Sequence, residues 1–169
     1  MTTATETTST TDTTTVRVYR VFVNAPIQKV WDAIVDPEWN AQYGYKCRAD
    51  YDLSEGGAYR CYPNEEMTSF GAPDVIIDGE IIEVDPPRRL VQTWRANWDP
   101  ELVAEGYTRV SFELSDGFGD ATRLTVTHEL TGAPVTRHQV DGDNPNAGGG
   151  WPFILSDLKT LLETGSSIG

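Results

Sequence analysis

The sequence is thin in the residues from which metal, redox and covalent centres are built: two cysteines, two histidines and two methionines among 169 residues. Cys47 and Cys61 lack the spacing of a metal-binding pair, and they read as free thiols in a reducing cytoplasm. The His-Glu-x-x-His helix of zinc proteases is missing. "DGDNPN", Asp141 to Asn146, starts like a calcium loop, with acids at its first and third positions. It has Asn146 where that loop turns on glycine, and Pro152 where the bidentate glutamate belongs, so it reads as a polar loop. "GFGDAT" is half of a dinucleotide fingerprint set between hairpin strands, hence only a turn. No metal and no cofactor is expected, and no catalytic residue is assigned.

Positive charge is scarce as well. Thirteen Lys and Arg stand against 26 Asp and Glu, a net charge of −13. The densest basic stretch, Arg88 and Arg89, follows two prolines at a turn. Such a surface repels phosphate backbones and anionic membranes, which argues against direct nucleic-acid binding. No apolar run approaches the roughly 18 to 20 residues of a membrane span. The opening "MTTATETTSTTDTTT" has neither the basic nor the apolar region of a secretory leader. It reads as a disordered threonine-rich tail over 1–15, ahead of one cytoplasmic domain over 16–164 and a short tail over 165–169.

Within that domain the periodicities are clear. "VRVYRVFVN" reads as a strand. Pro26 then opens a helix whose Ile27, Val30, Trp31 and Ile34 form one apolar face, and Trp31 is placed in the dry core. Asp36 and Pro37 start a second short helix that ends at Gly44. "CRADYDL" and "GAYRCY" form a hairpin around "SEGG". "DVIIDGEIIEV" and "RLVQTWRA" are strands joined by a Pro-Pro corner outside the ladder. "YTRVSFEL" and "TRLTVTHEL" make another hairpin, Thr131 to Gly150 is a long loop, and "WPFILSDLKTLLETG" is a helix with an apolar stripe. The order is one strand, two short helices, about six antiparallel strands and one long helix. A sheet curved around one helix readily leaves a gap suited to a ligand.

"RVFVNAPIQKVWDAIVDPEW", "GEIIEVDPPRRLVQTW", "TRLTVTHE" and "GWPFILSDLKTLLE" occur in the order found in the SRPBCC (START-like, helix-grip) superfamily. Over Val16 to Glu163 the chain resembles its branch of heat-shock-protein ATPase activator homologues. The resemblance implies an α+β helix-grip fold: a strongly bent antiparallel sheet wrapped around a long C-terminal helix, with two short helices after the first strand and an internal cavity. It implies binding of a small, mostly hydrophobic molecule such as a lipid or polyketide. Two alternatives stay open. One is a protein-interaction role, as a toxin paired with an ArsR-type repressor or as a chaperone cofactor. The other is a cyclase- or hydrolase-like enzyme.

Strand alternation and the resemblance together nominate the ligand-binding residues. Leu90, Gln92 and Trp94 share one strand face, and Leu124, Val126 and His128 another. Trp94, Trp39 and Trp151 are expected in the pocket wall, accompanied by Tyr43, Tyr59, Trp98 and Tyr107, since indoles and phenols suit a half-wet cavity. Ile154 and Leu158 come from the stripe of the terminal helix. Gln92, His128 and Glu83 are the polar groups that would orient a ligand, His128 having also the reading of a satisfied histidine at the sheet rim. The loop over 131–150, with "GGG" as its hinge, is read either as a lid or as a plain linker.

Overall fold

A computed structural model describes residues 14–169, so the first thirteen residues of the expected tail lie outside the described residues. Thr15 carries the first strand's pairing further: its N–H donates to Thr131 Oγ1 at 3.0 Å and its carbonyl accepts from Leu130 at 2.7 Å. The elements are β1 (Val16–Val23), α1 (Ile27–Val35), α2 (Pro37–Asn40), β2 (Ala49–Tyr51), β3 (Ala58–Cys61), α3 (Glu65–Ser69), β4 (Ile77–Asp85), β5 (Arg89–Ala96), α4 (Pro100–Glu105), β6 (Thr108–Asp116), β7 (Thr122–Glu129), α5 (Pro134–Val140) and α6 (Gly150–Thr164). The seven strands form one antiparallel sheet in the order β1-β7-β6-β5-β4-β3-β2, with α6 packed against it as the helix-grip fold requires. Among the described residues no helix is long and apolar enough to cross a membrane.

Strands β2 to β7 pair antiparallel in succession, through short turns at β2–β3, β4–β5 and β6–β7 and through α3 and α4 at the other two joins, and β1 pairs with β7 at the far edge. One irregularity shapes the sheet. Ile81 pairs with Gln92 and Glu83 with Val91, so Ile82 is an extra residue in β4. Such a bulge increases local twist and reverses the inward–outward alternation beyond it. Ile81 is therefore buried while Glu83 shares the outer face with Val91, where it accepts from Arg89 Nε at 3.0 Å. The expectation that Glu83 orients a ligand fails on that bulge.

Three short helices were hidden in segments read as connections. Asn64 caps α3 through the Met67 N–H, and Asp99 caps α4 ahead of Pro100. The third, α5, lies inside the stretch expected to be a loop; the Glu105 carboxylate holds its first turn, accepting from Val135 N at 2.8 Å and Thr136 N at 2.7 Å. A carboxylate at a helix start satisfies N–H groups that have no partner within the helix. The residues after α5 then meet α6 at three successive glycines with positive φ, Gly148 (78°), Gly149 (102°) and Gly150 (60°). A Cβ on Gly150 would sit 2.3 Å from the Val140 carbonyl oxygen, so this junction admits only glycine.

The helix α6 buries Trp151, Leu155, Leu158 and Leu161 as its apolar stripe demands, and it also buries Asp157. Neither oxygen of that carboxylate is idle: one accepts from Gly44 N at 2.8 Å, the other from Ile168 N at 2.5 Å. Two charge-assisted bonds offset the cost of removing it from water. They also tie the loop after α2 and the chain end to the helix.

Candidate ligand-binding cavity

Between α6 and the concave face of the sheet lies a cavity of about 430 Å³. Small-molecule sites usually measure roughly 300–1,000 Å³. One wall is formed by Gln92 and Trp94 of β5, Phe112 of β6, Leu124 of β7, and Trp151, Ile154, Leu155 and Leu158 of α6. The opposite wall is formed by Tyr51, Tyr59 and Cys61 of the β2–β3 hairpin, with Cys47 before it and Met67 of α3. Asn40 and Tyr43 contribute from the α2 region. Gln139, Val140, Asn146 and Ala147, from α5 and the segment after it, complete the lining together with Trp98. Trp98 is 43% exposed and Asn146 is exposed, which puts the mouth on this side.

The wall against α6 is fixed by a relay of hydrogen bonds. Trp151 Nε1 donates to His128 Nδ1 at 3.1 Å, His128 Nε2 lies 2.7 Å from Thr108 Oγ1, and Thr108 Oγ1 donates to the Trp94 carbonyl at 2.9 Å. An indole nitrogen only donates, so Nδ1 must be the unprotonated nitrogen and Nε2 carries the proton. A second proton would set Nδ1–H against the indole N–H. His128 is fully buried, and burial pushes its pKa down to about 3. Its ring also meets Trp94 edge-on, with centroids 5.2 Å apart. Both nitrogens being occupied, His128 offers neither a lone pair nor a mobile proton to the cavity.

The hairpin wall is built from sulfur and phenol. Tyr51 and Tyr59 are direct cross-strand partners with ring centroids 4.7 Å apart. Cys47 Sγ approaches Met67 Sδ at 3.6 Å. The Cys61 thiol beside Cys47 lowers the Cys47 pKa against the effect of burial, whereas Cys47, together with burial, raises that of Cys61.

Besides Glu83, the sequence nominates eleven residues, and eight of them line the cavity: Tyr43, Tyr59, Gln92, Trp94, Trp98, Trp151, Ile154 and Leu158. Three do not. Trp39 is 36% exposed, because α2 turns its neighbour Asn40 inward to bond both backbone groups of Ala49, at 2.9 and 3.0 Å. Tyr107 is 51% exposed on the outer face; Thr108 is the inward residue, and Tyr107 instead donates to Asp78 at 2.5 Å and lies under the Arg95 guanidinium. His128 points inward but sits behind Trp94 and Trp151. The sequence reading missed Tyr45, whose hydroxyl accepts from Gly150 N at 3.0 Å and donates to the Ala147 carbonyl at 3.3 Å, fastening the segment before α6. It also missed Tyr51, Cys47, Cys61 and Met67. The hairpin is centred on Glu55, which sets Tyr51 opposite Tyr59, whereas a turn centred on "SEGG" would have set Tyr51 opposite Arg60.

The sequence over residues 24–163 matches the family described as Activator of Hsp90 ATPase homolog 1-like protein. The chain belongs to this family. No curated protein matches it in sequence. Among solved structures, CalU16 from Micromonospora echinospora is 24% identical, with a TM-score of 0.61 over 89% of this chain and 77% of that one. MLL2253 from Mesorhizobium loti is 22% identical, with a TM-score of 0.66 over 88% and 97%. The Aha1 dimer from Colwellia psychrerythraea is 17% identical, with a TM-score of 0.58 over 89% and 98%. At such identities the likeness speaks of the fold, and the family's helix-grip architecture is the one found here.

Proposed function

We propose that the protein binds one small, mostly apolar molecule in the cavity between α6 and the sheet. The observation that carries this reading is a cavity of about 430 Å³ whose lining is dominated by indole, phenol, thiol and aliphatic groups. Each 100 Å² or so of apolar ligand surface removed from water there contributes about 2.5 kcal/mol. The segment from α5 to Gly150, which supplies Gln139, Asn146 and Ala147 to the lining, is the proposed entry side.

N-phenyl-1-naphthylamine, a neutral fluorescent probe, tests the reading. The expected result is saturable one-to-one binding with quenching of tryptophan emission, abolished in Ile154→Trp, where the larger side chain fills the space. Unchanged binding to that variant would place the probe elsewhere and overturn the assignment. Absence of saturable binding, together with a clean mass for the purified chain, would shift the case to a protein-interaction role, through an ArsR-type repressor or a chaperone.

A further inference from the structure

Buried polar groups around the cavity are almost all paired within the protein. His128 and Thr108 are satisfied by the relay, Asn40 by Ile34 and Ala49, and Asp157 by Gly44 and Ile168. The Tyr43 hydroxyl donates to the Ala33 carbonyl at 2.8 Å. Gln92 breaks the pattern. It is 1% exposed, it lines the cavity, and its Oε1 has no partner among the described residues.

A buried amide oxygen left unpaired is costly, and native structures carry few of them. A water would not relieve this one well, because an ordered buried water needs two or more polar partners. The cross-strand neighbours of Gln92 are Ile81 and Val110, and on its own strand face it is flanked by Leu90 and Trp94. Thr108 and His128, the nearest polar side chains along that face, have already committed their groups to each other and to Trp94 and Trp151.

We infer that Gln92 is the specificity-determining residue of the cavity: its amide turns about the Cγ–Cδ bond to bring the buried, unpartnered Oε1 to the cavity, where it accepts a hydrogen bond from a hydroxyl or N–H carried by an otherwise apolar, aromatic ligand. This rests on the cavity-binding reading above. The donor end of the ligand lies deep, on β5, while its apolar body is held between the indoles of Trp94 and Trp151 and the paired rings of Tyr51 and Tyr59. A ligand of the same shape without the donor leaves the amide oxygen unpaired, and such mismatches discriminate more sharply than an added or missing methylene does.

The test compares 2-naphthol with 2-methoxynaphthalene, which keeps the ring and the oxygen but loses the donor, by calorimetry or tryptophan quenching. The wild-type chain is expected to bind 2-naphthol about tenfold more tightly. In Gln92→Met, close in volume and without an amide, the preference falls to within about twofold while 2-methoxynaphthalene still binds. That variant without ligand should unfold at the same temperature as wild type or higher, since an orphaned polar group has been removed; this shows that any lost preference is not a loss of fold. Equal binding of the two compounds by wild type, or a preference that survives in Gln92→Met, overturns the role of Gln92 and leaves the cavity reading standing. Failure of both compounds to bind the wild-type chain removes the cavity reading and this inference with it.

Discussion

The two walls of the cavity are made by different means. Against α6, three directional bonds run from Trp151 through His128 and Thr108 to the Trp94 carbonyl and lock four elements in register. Across the cavity, Tyr51, Tyr59, Cys47, Cys61 and Met67 meet mainly through ring faces and sulfur. Directional bonds fix positions, and in a dry interior they are costly to break. Thioether and aromatic contacts are polarizable and tolerate displacement, which is why methionine suits surfaces that accept varied shapes. One wall therefore supplies a fixed frame, and the other can yield to what is bound.

Removing the frame's central member should have the largest effect. His128→Ala leaves the Trp151 N–H and the Thr108 hydroxyl without their partner and opens a void behind two tryptophans. The expected loss is about 3–4 kcal/mol of unfolding free energy, measured in urea. A loss below about 1 kcal/mol would mean that the relay holds nothing together. No comparable loss is expected for Met67→Leu on the yielding wall, where a volume-conserving exchange costs under about 1.5 kcal/mol.

Acid should act on the same frame. His128 stays neutral in the folded chain down to about pH 3, whereas in the unfolded chain it takes up a proton near its ordinary value of 6.5. Between those values the unfolded state binds more protons, so stability rises with pH and is lost as pH falls from 6.5 towards 3. The contribution of this one histidine is about 1.4 kcal/mol per pH unit within the window. Urea titrations at several pH values on wild type and His128→Gln would show it, the slope being shallower by one proton's worth in the variant. Parallel slopes would mean that His128 protonates freely in the folded state.

How far the site was legible in the sequence depends on which of these devices carries each part. Apolar periodicity over Ile27–Ile34 and Trp151–Leu162, and turn chemistry at "SEGG" and Pro86-Pro87, were enough for the succession of antiparallel strands and the long final helix, but not for the pairing of β1 with β7. Alternation put Gln92 and Trp94 on one face, the resemblance made that face the inner one, and both line the cavity. Glu83 was misplaced because a bulge at Ile82 shifts parity without any mark in composition, and Tyr107, nominated with the other aromatics, yields to the adjacent Thr108, which turns inward. Trp39 lost its place to Asn40 because two backbone bonds to Ala49 outweigh what an indole would gain, and a pattern of apolar residues does not register such bonds. The relay through His128 joins residues 94, 108, 128 and 151; nothing local in any one strand announces it. The same holds for Asp157, which lies outside the apolar stripe of α6 and is buried because two distant N–H groups converge on it.

The yielding wall offers the smallest perturbation, alkylation of a single thiol. Cys47 is half-buried and lines the cavity, and the neighbouring Cys61 thiol holds its pKa below the ordinary thiol value; Cys61 is buried, and the neighbouring Cys47 and burial both raise its pKa. Since the thiolate is the nucleophile, iodoacetamide should label Cys47 in the native chain well before Cys61. The difference should vanish in urea, where neither environment persists. A saturating concentration of 2-naphthol should slow Cys47 labelling severalfold, because the ligand and the reagent would compete for one space. The frame predicts the contrast: His128→Gln, acting on the far wall, should leave the Cys47-to-Cys61 rate ratio without ligand nearly unchanged. If both thiols react at one common rate in the native chain, the hairpin wall is opening as a unit. Its softness would then belong to local unfolding and not to the yielding of sulfur and aromatic contacts.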